Sequence, residues 1–285
     1  MTESTLQRLT DRIFYLTPDA ETDRPILAAI CGEHQTLLID AGNSPVHADL
    51  FQNECSKHEI TNIHMGVLTH WHWDHSFGAS RLNVLMIAHE ITKKKLEELV
   101  SFTWADEDLD QRVKEGVESS FCAEMIKKEY GPNREISIVT PEITFPSKLE
   151  IDLGNIHCLV EHVGGDHSSD SSVIFVKEEK VLFLGDCLYP DLYAEQPRYT
   201  VDQVLSLLDK LESYDANIYV LSHELPLSKS QFQGYVQLLR LLCQLTTEKN
   251  GVEKDMVTAL SVHLGRELGR IELEAIRCFV HGVNG

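Results

Sequence analysis

The chain has 285 residues, of which 42% are hydrophobic and 25% are charged. This composition is that of an ordinary soluble globular protein, and it excludes collagen-like repeats and extended disorder. The length suits one domain with additions. The formal net charge of −20 disfavours anionic partners such as nucleic acids, which require clustered cations.

The seven cysteines are widely spaced and include no C-x-x-C pair, which favours reduced thiols over a disulfide framework. The N-terminal residues from Met1 to Ser4 do not begin a signal peptide, and no apolar stretch reaches the length of a membrane span. We therefore expect a cytoplasmic protein that acts on a small-molecule substrate and binds neither nucleic acid nor a membrane. The sequence does not determine the oligomeric state.

The first third of the chain contains short apolar runs separated by turn residues, which predict strands. These runs are Ile13–Leu16, Ile26–Ile30, Thr36–Ile39 and Met65–Leu68. Apolar residues at helical spacing predict a helix over Val46–His58. Strands that alternate with helices indicate an α/β layered fold.

A segment rich in Glu, Lys, Asp and Leu follows, and we interpret residues 91–131 as a helical insertion and a candidate lid. Beyond it, five more runs predict strands: Ile136–Val139, Leu149–Ile151, Ile156–Val163, Ser172–Val176 and Val181–Leu184, with a hairpin turn at Glu178-Glu179. A helix over Val201–Leu211 leads to a strand over Ile218–Leu221. The segments Lys229–Leu245 and Val257–Val280 are predicted to be helical, so residues 226–285 form a helical extension that packs on a domain of residues 1–225.

Four of the buried-looking runs end in a side chain that could bind a ligand. These side chains are Asp40, His70, Asp186 and His223. Open α/β sheets collect ligands at the carboxyl ends of their strands. A single residue of this kind could simply end a strand at the surface, but four together favour one shared site.

The most specific segment is His70-Trp71-His72-Trp73-Asp74-His75. In extended backbone, residues two apart point the same way, so His70, His72 and Asp74 can converge. His75 follows where the chain turns and can address an adjacent point. The segment thus supplies four candidate metal ligands for two neighbouring positions.

This segment reproduces the H-x-H-x-D-H motif, and here the chain resembles the metallo-β-lactamase superfamily. Four other segments resemble elements of that family and occur in the family's order: Leu38–Gly42, Gly165–Asp170, Leu182–Asp186 and Val220–His223. The resemblance spans roughly Ile13 to Glu224 and leaves the last sixty or so residues unaccounted for.

The resemblance implies a four-layer αβ/βα sandwich with a dinuclear metal site at one edge of the sheets. By this resemblance, one metal would be held by His70, His72 and His167. The other would be held by Asp74, His75 and His223, and Asp186 would bridge the two. Nitrogen and oxygen ligands suit two zinc ions and are compatible with iron or manganese.

Two metals roughly 3.5–4 Å apart would lower the pKa of a shared water and polarise the substrate. Asp74 would orient that water and handle its proton. Asp40 either orients a ligand histidine or stabilises its own turn. His162 belongs to a strand, so we prefer His167 as the ligand, and Cys187 is predicted to be a buried apolar residue that points away from the metals.

Tyr189 matches a tyrosine that lactonases of this superfamily place near the substrate carbonyl, where it could donate to an oxyanion. It could equally pack as a loop residue. Trp71 and Trp73 either wall the site or anchor its loop in the core. Trp104 either belongs to a lid or is the packing centre of the insertion.

The expected function is hydrolysis of a small ester, thioester or lactone, as in the glyoxalase II and lactonase branches. The missing export signal disfavours a β-lactamase, and the acidity disfavours a nuclease. A mononuclear iron sulfur dioxygenase on the same fold is the alternative from another enzyme class. A catalytically silent metal-binding protein is the third alternative.

Overall fold

The computed structural model describes residues 4–284. Residues 1–3 of the predicted domain and residue 285 of the predicted extension therefore lie outside the described residues. The described strands are β1 Leu6–Arg8, β2 Ile13–Leu16, β3 Leu27–Cys31, β4 Thr36–Ile39, β5 Ile63–Val67, β6 Leu85–His89, β7 Ile143–Phe145, β8 Lys148–Asp152, β9 His157–His162, β10 Ser172–Val176, β11 Val181–Gly185, β12 Ile218–Leu221 and β13 Leu227–Ser228. The described α-helices are α1 Pro45–Lys57, α2 Trp73–Ser76, α3 Glu90–Leu99, α4 Asp106–Lys114, α5 Ser120–Tyr130, α6 Val201–Glu212, α7 Lys229–Glu248, α8 Glu253–Leu264 and α9 Arg270–Asn284.

The strands form two mixed sheets. In the first, the order is β1-β2-β3-β4-β5-β6-β7, with antiparallel pairing up to β4 and parallel pairing from β4 to β7. In the second, the order is β13-β12-β11-β10-β9-β8, with β11 and β12 parallel and the other neighbours antiparallel. The parallel pairs matter for function because their strands end at the same edge of a sheet.

Three apolar clusters define the layers. The first lies between the two sheets and contains side chains such as Ile30 and Val67 from one sheet and Val160 and Phe183 from the other. The second packs the outer face of the first sheet against α1 and the helices of the insertion. The third packs the outer face of the second sheet against α6 and the C-terminal helices. This helix–sheet–sheet–helix order confirms the predicted four-layer α/β sandwich.

Helices α3, α4 and α5 occupy the predicted insertion. Helices α7, α8 and α9 share one apolar cluster with the second sheet, through side chains such as Phe232, Met256 and Phe279. The domain boundary after residue 225 and the lid role of the insertion stay predictions. Among residues 4–284, none of the helices combines the length and the apolar character needed to cross a bilayer.

Two of the predicted elements are wrong in detail. Residues 136–139 form no strand, and β7 lies at Ile143–Phe145, where Phe145 pairs with His89 and is buried between the sheets. Ile136 and Val139 instead pack from outside against the cluster of the first sheet. The helical segment predicted over Val257–Val280 is interrupted after Leu264, because Gly265 adopts a left-handed conformation that ends α8.

Candidate metal centre

The candidate site lies where strands of both sheets end. His70 follows β5, Asp186 follows β11 directly and His223 follows β12, while His167 lies in the loop between β9 and β10. His72 precedes the short helix α2, which carries Asp74 and His75. The predicted convergence of strand ends is therefore what the fold produces.

A close approach of the two sheets brings these strand ends together. Gly185, the last residue of β11, has φ of +54°, and a Cβ at this position would lie 2.8 Å from the Cβ of Thr69. Thr69 belongs to the loop that leads into His70. A residue with a side chain would therefore push Asp186 away from the first sheet.

The seven predicted ligands form two adjoining groups. In the first, one ligand atom from each of His70, His72 and His167 lies within 4.8 Å of the others. The second satisfies the same limit and consists of Asp74, His75, Asp186 and His223. Six of the seven residues are buried, and the side chain of His223 is 23% exposed.

Asp186 lies between the two groups. Its Oδ2 is 3.5 Å from Nε2 of His167, 3.3 Å from Nε2 of His75 and 3.2 Å from Nε2 of His223. On the other side of the second group, Asp74 Oδ2 lies 2.9 Å from Nε2 of His75 and 3.3 Å from Nε2 of His223. Asp186 thus contacts histidines of both groups, and its role as a bridging ligand stays a prediction.

Oxygen atoms around the site orient four of the imidazole rings through Nδ1. Asp40 Oδ2 lies 2.8 Å from Nδ1 of His75, and Thr69 Oγ1 lies 3.1 Å from that of His70. The Pro190 carbonyl lies 3.1 Å from Nδ1 of His167, and Asp23 Oδ1 lies 3.4 Å from that of His223. Because Nδ1 is engaged, Nε2 of each ring is left to face the interior of the site.

Of the two interpretations of Asp40, its contacts support the orienting role, and it also accepts a hydrogen bond from the Thr69 backbone N–H at 2.7 Å. Asp23, Thr69 and the Pro190 carbonyl were not among the residues predicted from the sequence. Asp23 is one of three acidic residues in the turn before β3, and no motif distinguishes it. A backbone carbonyl carries no residue-type signal at all.

The electrostatics separate the two groups. Burial lowers the pKa of His70 and of His72 well below its usual value, so both rings are neutral and retain a lone pair for coordination. Burial also opposes the charged forms of His75 and His223, but Asp74 and Asp186 outweigh it and raise both pKa values. Burial and the Asp74 carboxylate raise the pKa of Asp23 to about 7.

The residues present fit divalent cations. Nε2 of His70, Nε2 of His167 and Oδ1 of Asp186 are buried without a hydrogen-bond partner. Such atoms are costly unless a ligand satisfies them. Imidazole nitrogens with carboxylate oxygens are a donor set suited to zinc and to other first-row metals.

Both groups of candidate ligands face one cavity of ≈ 290 Å³. Its wall includes Phe121 and Cys122 from α5 of the insertion, and Tyr189 from the loop after Asp186. The Tyr189 hydroxyl is buried without a hydrogen-bond partner. Tyr189 therefore lines the cavity, and its role as a donor to the substrate stays a prediction.

The other candidates lie outside the two groups. His162 stacks on His89 with ring centroids 3.9 Å apart, and Cys187 is buried in the apolar cluster of the second sheet. Trp73 is buried in the core, while half-buried Trp71 packs 5.3 Å from the ring of Tyr193. Trp104 is buried 4.9 Å from the ring of Phe77, so it packs into the apolar cluster of the first sheet.

The family model of the metallo-beta-lactamase superfamily matches residues 28–223, which include all seven predicted ligands. The chain belongs to the metallo-β-lactamase superfamily. The superfamily and the His/Asp cluster together indicate a metal-dependent hydrolase that binds divalent metal ions. No curated protein matches the sequence.

Solved structures show the same fold. A metallo-beta-lactamase from Pontibacter korlensis is 19% identical with a TM-score of 0.58, over 84% of this chain and 99% of its own. The metallo-beta-lactamase DIM-1 is 18% identical with a TM-score of 0.57, over 85% of this chain and 97% of its own.

The stereoselective inverting sec-alkylsulfatase Pisa1 from Pseudomonas sp. is 15% identical with a TM-score of 0.70. It covers 98% of this chain, which spans only 49% of that larger protein. These structural matches show the fold of the chain and do not assign a substrate to it.

Proposed function

We propose that this protein is a dinuclear metallohydrolase that cleaves an uncharged carboxylic ester, thioester or lactone. The observation that carries the proposal is the pair of adjoining ligand groups with Asp186 between them. His70, His72 and His167 would hold one metal, and Asp74, His75 and His223 would hold the other. Zinc is the metal we propose, and the nitrogen and oxygen donors suit it.

Two divalent metal ions at these positions would lower the pKa of a water molecule toward neutrality and polarise the electrophilic group of the substrate. The side chains of the protein would position the water and the substrate and would accept and donate protons. Asp74 faces the cavity and can orient the attacking water and accept its proton. Tyr189 can donate a hydrogen bond to the oxyanion that develops on the carbonyl oxygen.

The charge of the cavity supports an uncharged substrate. Among residues 4–284, no lysine or arginine lines it, whereas Asp23 and Glu224 do. The two metals would bind the reacting group of the substrate, so this lining bears on the rest of the molecule. The two carboxylates of a glutathione conjugate, which are remote from its reacting carbonyl, would meet these acidic groups without a cationic side chain. This favours a lactone or simple ester over a glutathione thioester.

The test is a substrate panel with the zinc-loaded protein. It contains a p-nitrophenyl ester, an acyl thioester, a γ-lactone, bis(p-nitrophenyl) phosphate and a secondary alkyl sulfate. We expect turnover of the carbonyl substrates, loss of that turnover with a chelator and its recovery with zinc. Turnover confined to the sulfate or phosphate, or oxygen-dependent turnover of a persulfide with iron, would overturn the proposal, as would metal binding without any turnover.

A further inference from the structure

A second and larger cavity, of ≈ 430 Å³, lies between two helices of the C-terminal extension. Leu238 and Leu242 of α7 form one wall, and Ala275 and Cys278 of α9 form another. Its volume falls within the range of roughly 300–1,000 Å³ that small-molecule sites occupy. It is therefore large enough for part of a ligand.

This cavity adjoins the metal cavity. Tyr189, Pro190 and Glu224 line both of them. The ring of Tyr189 lies 5.9 Å from the ring of His223, and the Pro190 carbonyl holds His167. The two cavities therefore meet at residues that also contact the metal ligands.

The polar residues of the second cavity do not present a buried charge to a ligand. The Tyr199 hydroxyl donates to the Leu188 carbonyl at 2.9 Å, and Nδ1 of His281 lies 2.8 Å from the Pro197 carbonyl. The charged residues that line the cavity, Glu224, Glu274 and Arg277, are all exposed, and Arg277 lies 3.4 Å from Glu253. Ile271, which also lines the cavity, is 73% exposed. An apolar cavity next to a polar reaction centre suits an aliphatic chain.

We propose that the cavity between α7 and α9 binds the aliphatic tail of the substrate while the carbonyl group lies at the metal centre. The inference rests on the proposed function and narrows it to esters or lactones with a medium-length alkyl chain. Each methylene buried in such a cavity is expected to improve binding by roughly two- to fourfold. The gain should end when the chain has filled the cavity.

The first test compares p-nitrophenyl acetate, hexanoate and decanoate with the zinc-loaded protein, below the concentration at which the esters aggregate. For the wild type, we expect kcat/KM to rise by roughly two- to fourfold per methylene, mainly through a lower KM. Ala275→Trp fills the cavity from α9, so it should abolish this rise and leave acetate hydrolysis unchanged. A flat profile in the wild type, or an unchanged rise in Ala275→Trp, would overturn the inference.

A second variant and a matched control guard against general damage to the helices. Leu238→Trp fills the same cavity from α7 and should also abolish the dependence on chain length. Ala259→Trp provides the control, because Ala259 is a partly buried alanine of α8 that packs on the same apolar cluster but does not line the cavity. The control should keep the chain-length profile, and its loss would contradict the assignment. Thermal unfolding verifies that all three variants fold.

Calorimetric titration of the zinc-loaded protein with decan-1-ol tests the cavity without any turnover. We expect binding to the wild type and at least tenfold weaker binding to Ala275→Trp. If decan-1-ol binds in this way but no ester is hydrolysed, the proposed function fails and the apolar site stands. If esters are hydrolysed with a flat profile and decan-1-ol does not bind, the site fails and the proposed function stands.

Discussion

Four histidines of the metal centre each present Nε2 to its interior because an oxygen atom engages Nδ1. Six of the seven candidate ligands could be predicted from the sequence because they are clustered in one motif or lie at the ends of apolar strands, whereas His167, in the loop between β9 and β10, was predicted from the family resemblance. The oxygens that orient them could not. Asp23 and the Pro190 carbonyl reach their histidines only through tertiary packing, which no local pattern encodes.

Asp186→Ala tests the bridging position. The variant should fold and lose at least one metal per chain. Its kcat/KM should fall by more than the roughly 10- to 100-fold that is typical when a residue that orients a metal ligand is mutated. Elemental analysis and kcat/KM measure both effects. Asp215→Ala is the control, since that carboxylate is 70% exposed and pairs with Lys180. Unchanged metal content in Asp186→Ala would remove the residue from the site.

Tyr189→Phe tests the proposed oxyanion donor. We expect kcat to fall by about 10²-fold with KM and metal content little changed, because the hydroxyl would act mainly in the transition state. Steady-state kinetics on the best carbonyl substrate make the measurement. Tyr193→Phe removes another hydroxyl from the same cavity and should have a much smaller effect. An unaltered kcat in Tyr189→Phe would assign this tyrosine to packing alone.

At the scale of elements, strands and helices with a clear apolar period were predictable, and β2, β4, β10 and β12 match their predicted bounds. Of the four edge strands, β8 was predicted, whereas β1, β7 and β13 were not. β7 forms where the backbone can pair with β6, although the apolar run at 136–139 has the stronger strand pattern. Pairing partners distant in sequence decide such cases, so local propensity fails there.

Glu129 of helix α5 connects the insertion to residues that flank the strands of the first sheet. Its Oε1 accepts hydrogen bonds from Nη2 of Arg24 at 2.7 Å and from Ser44 Oγ at 2.5 Å. Burial would raise the pKa of Glu129, but these bonds outweigh burial and lower it. Arg24 follows Asp23, so the insertion also braces the turn that contacts His223.

Glu129→Gln should therefore cost about 1–3 kcal/mol in the free energy of unfolding at neutral pH. Because the folded-state pKa is lowered, this contribution is present above the unfolded value of about 4.3 and is lost as the pH falls through the folded value. Urea unfolding of both proteins from neutral to acidic pH measures the difference, which should shrink below about pH 4. Glu124→Gln, at an exposed position of α5, should show little difference at any pH. A Glu129 difference that grows on acidification would contradict this account.

Helix α9 depends on a glycine for its docking. A Cβ on Gly282 would lie 1.9 Å from the carbonyl oxygen of Tyr199. Gly282→Ala should therefore destabilise the protein by about 1–3 kcal/mol through overpacking. Gly234→Ala in α7 is the matched control, because its Cβ would meet nothing within 4 Å and should stabilise the helix by about 0.5–1 kcal/mol. Thermal unfolding measures both, and equal effects would show that α9 does not rest on this contact.

At the scale of the whole molecule, two sheets from distant parts of the chain contribute ligands to one centre. Neither half of the sandwich holds the complete set, since the first sheet's loops carry His70 to His75 and the second sheet's carry His167, Asp186 and His223. Metal binding should therefore link the two halves. The metal site can be recognised in the sequence because its side chains belong to spaced motifs, whereas the residues that line the cavity between α7 and α9 carry no motif.

The most direct test of the central claim is zinc content combined with anomalous diffraction from crystals of the zinc-loaded protein. The account predicts two zinc ions per chain, one at His70, His72 and His167, the other at Asp74, His75 and His223, with Asp186 in contact with both. A single ion, or zinc bound at the His70 to His75 segment with His167 and Asp186 free of metal, would contradict it.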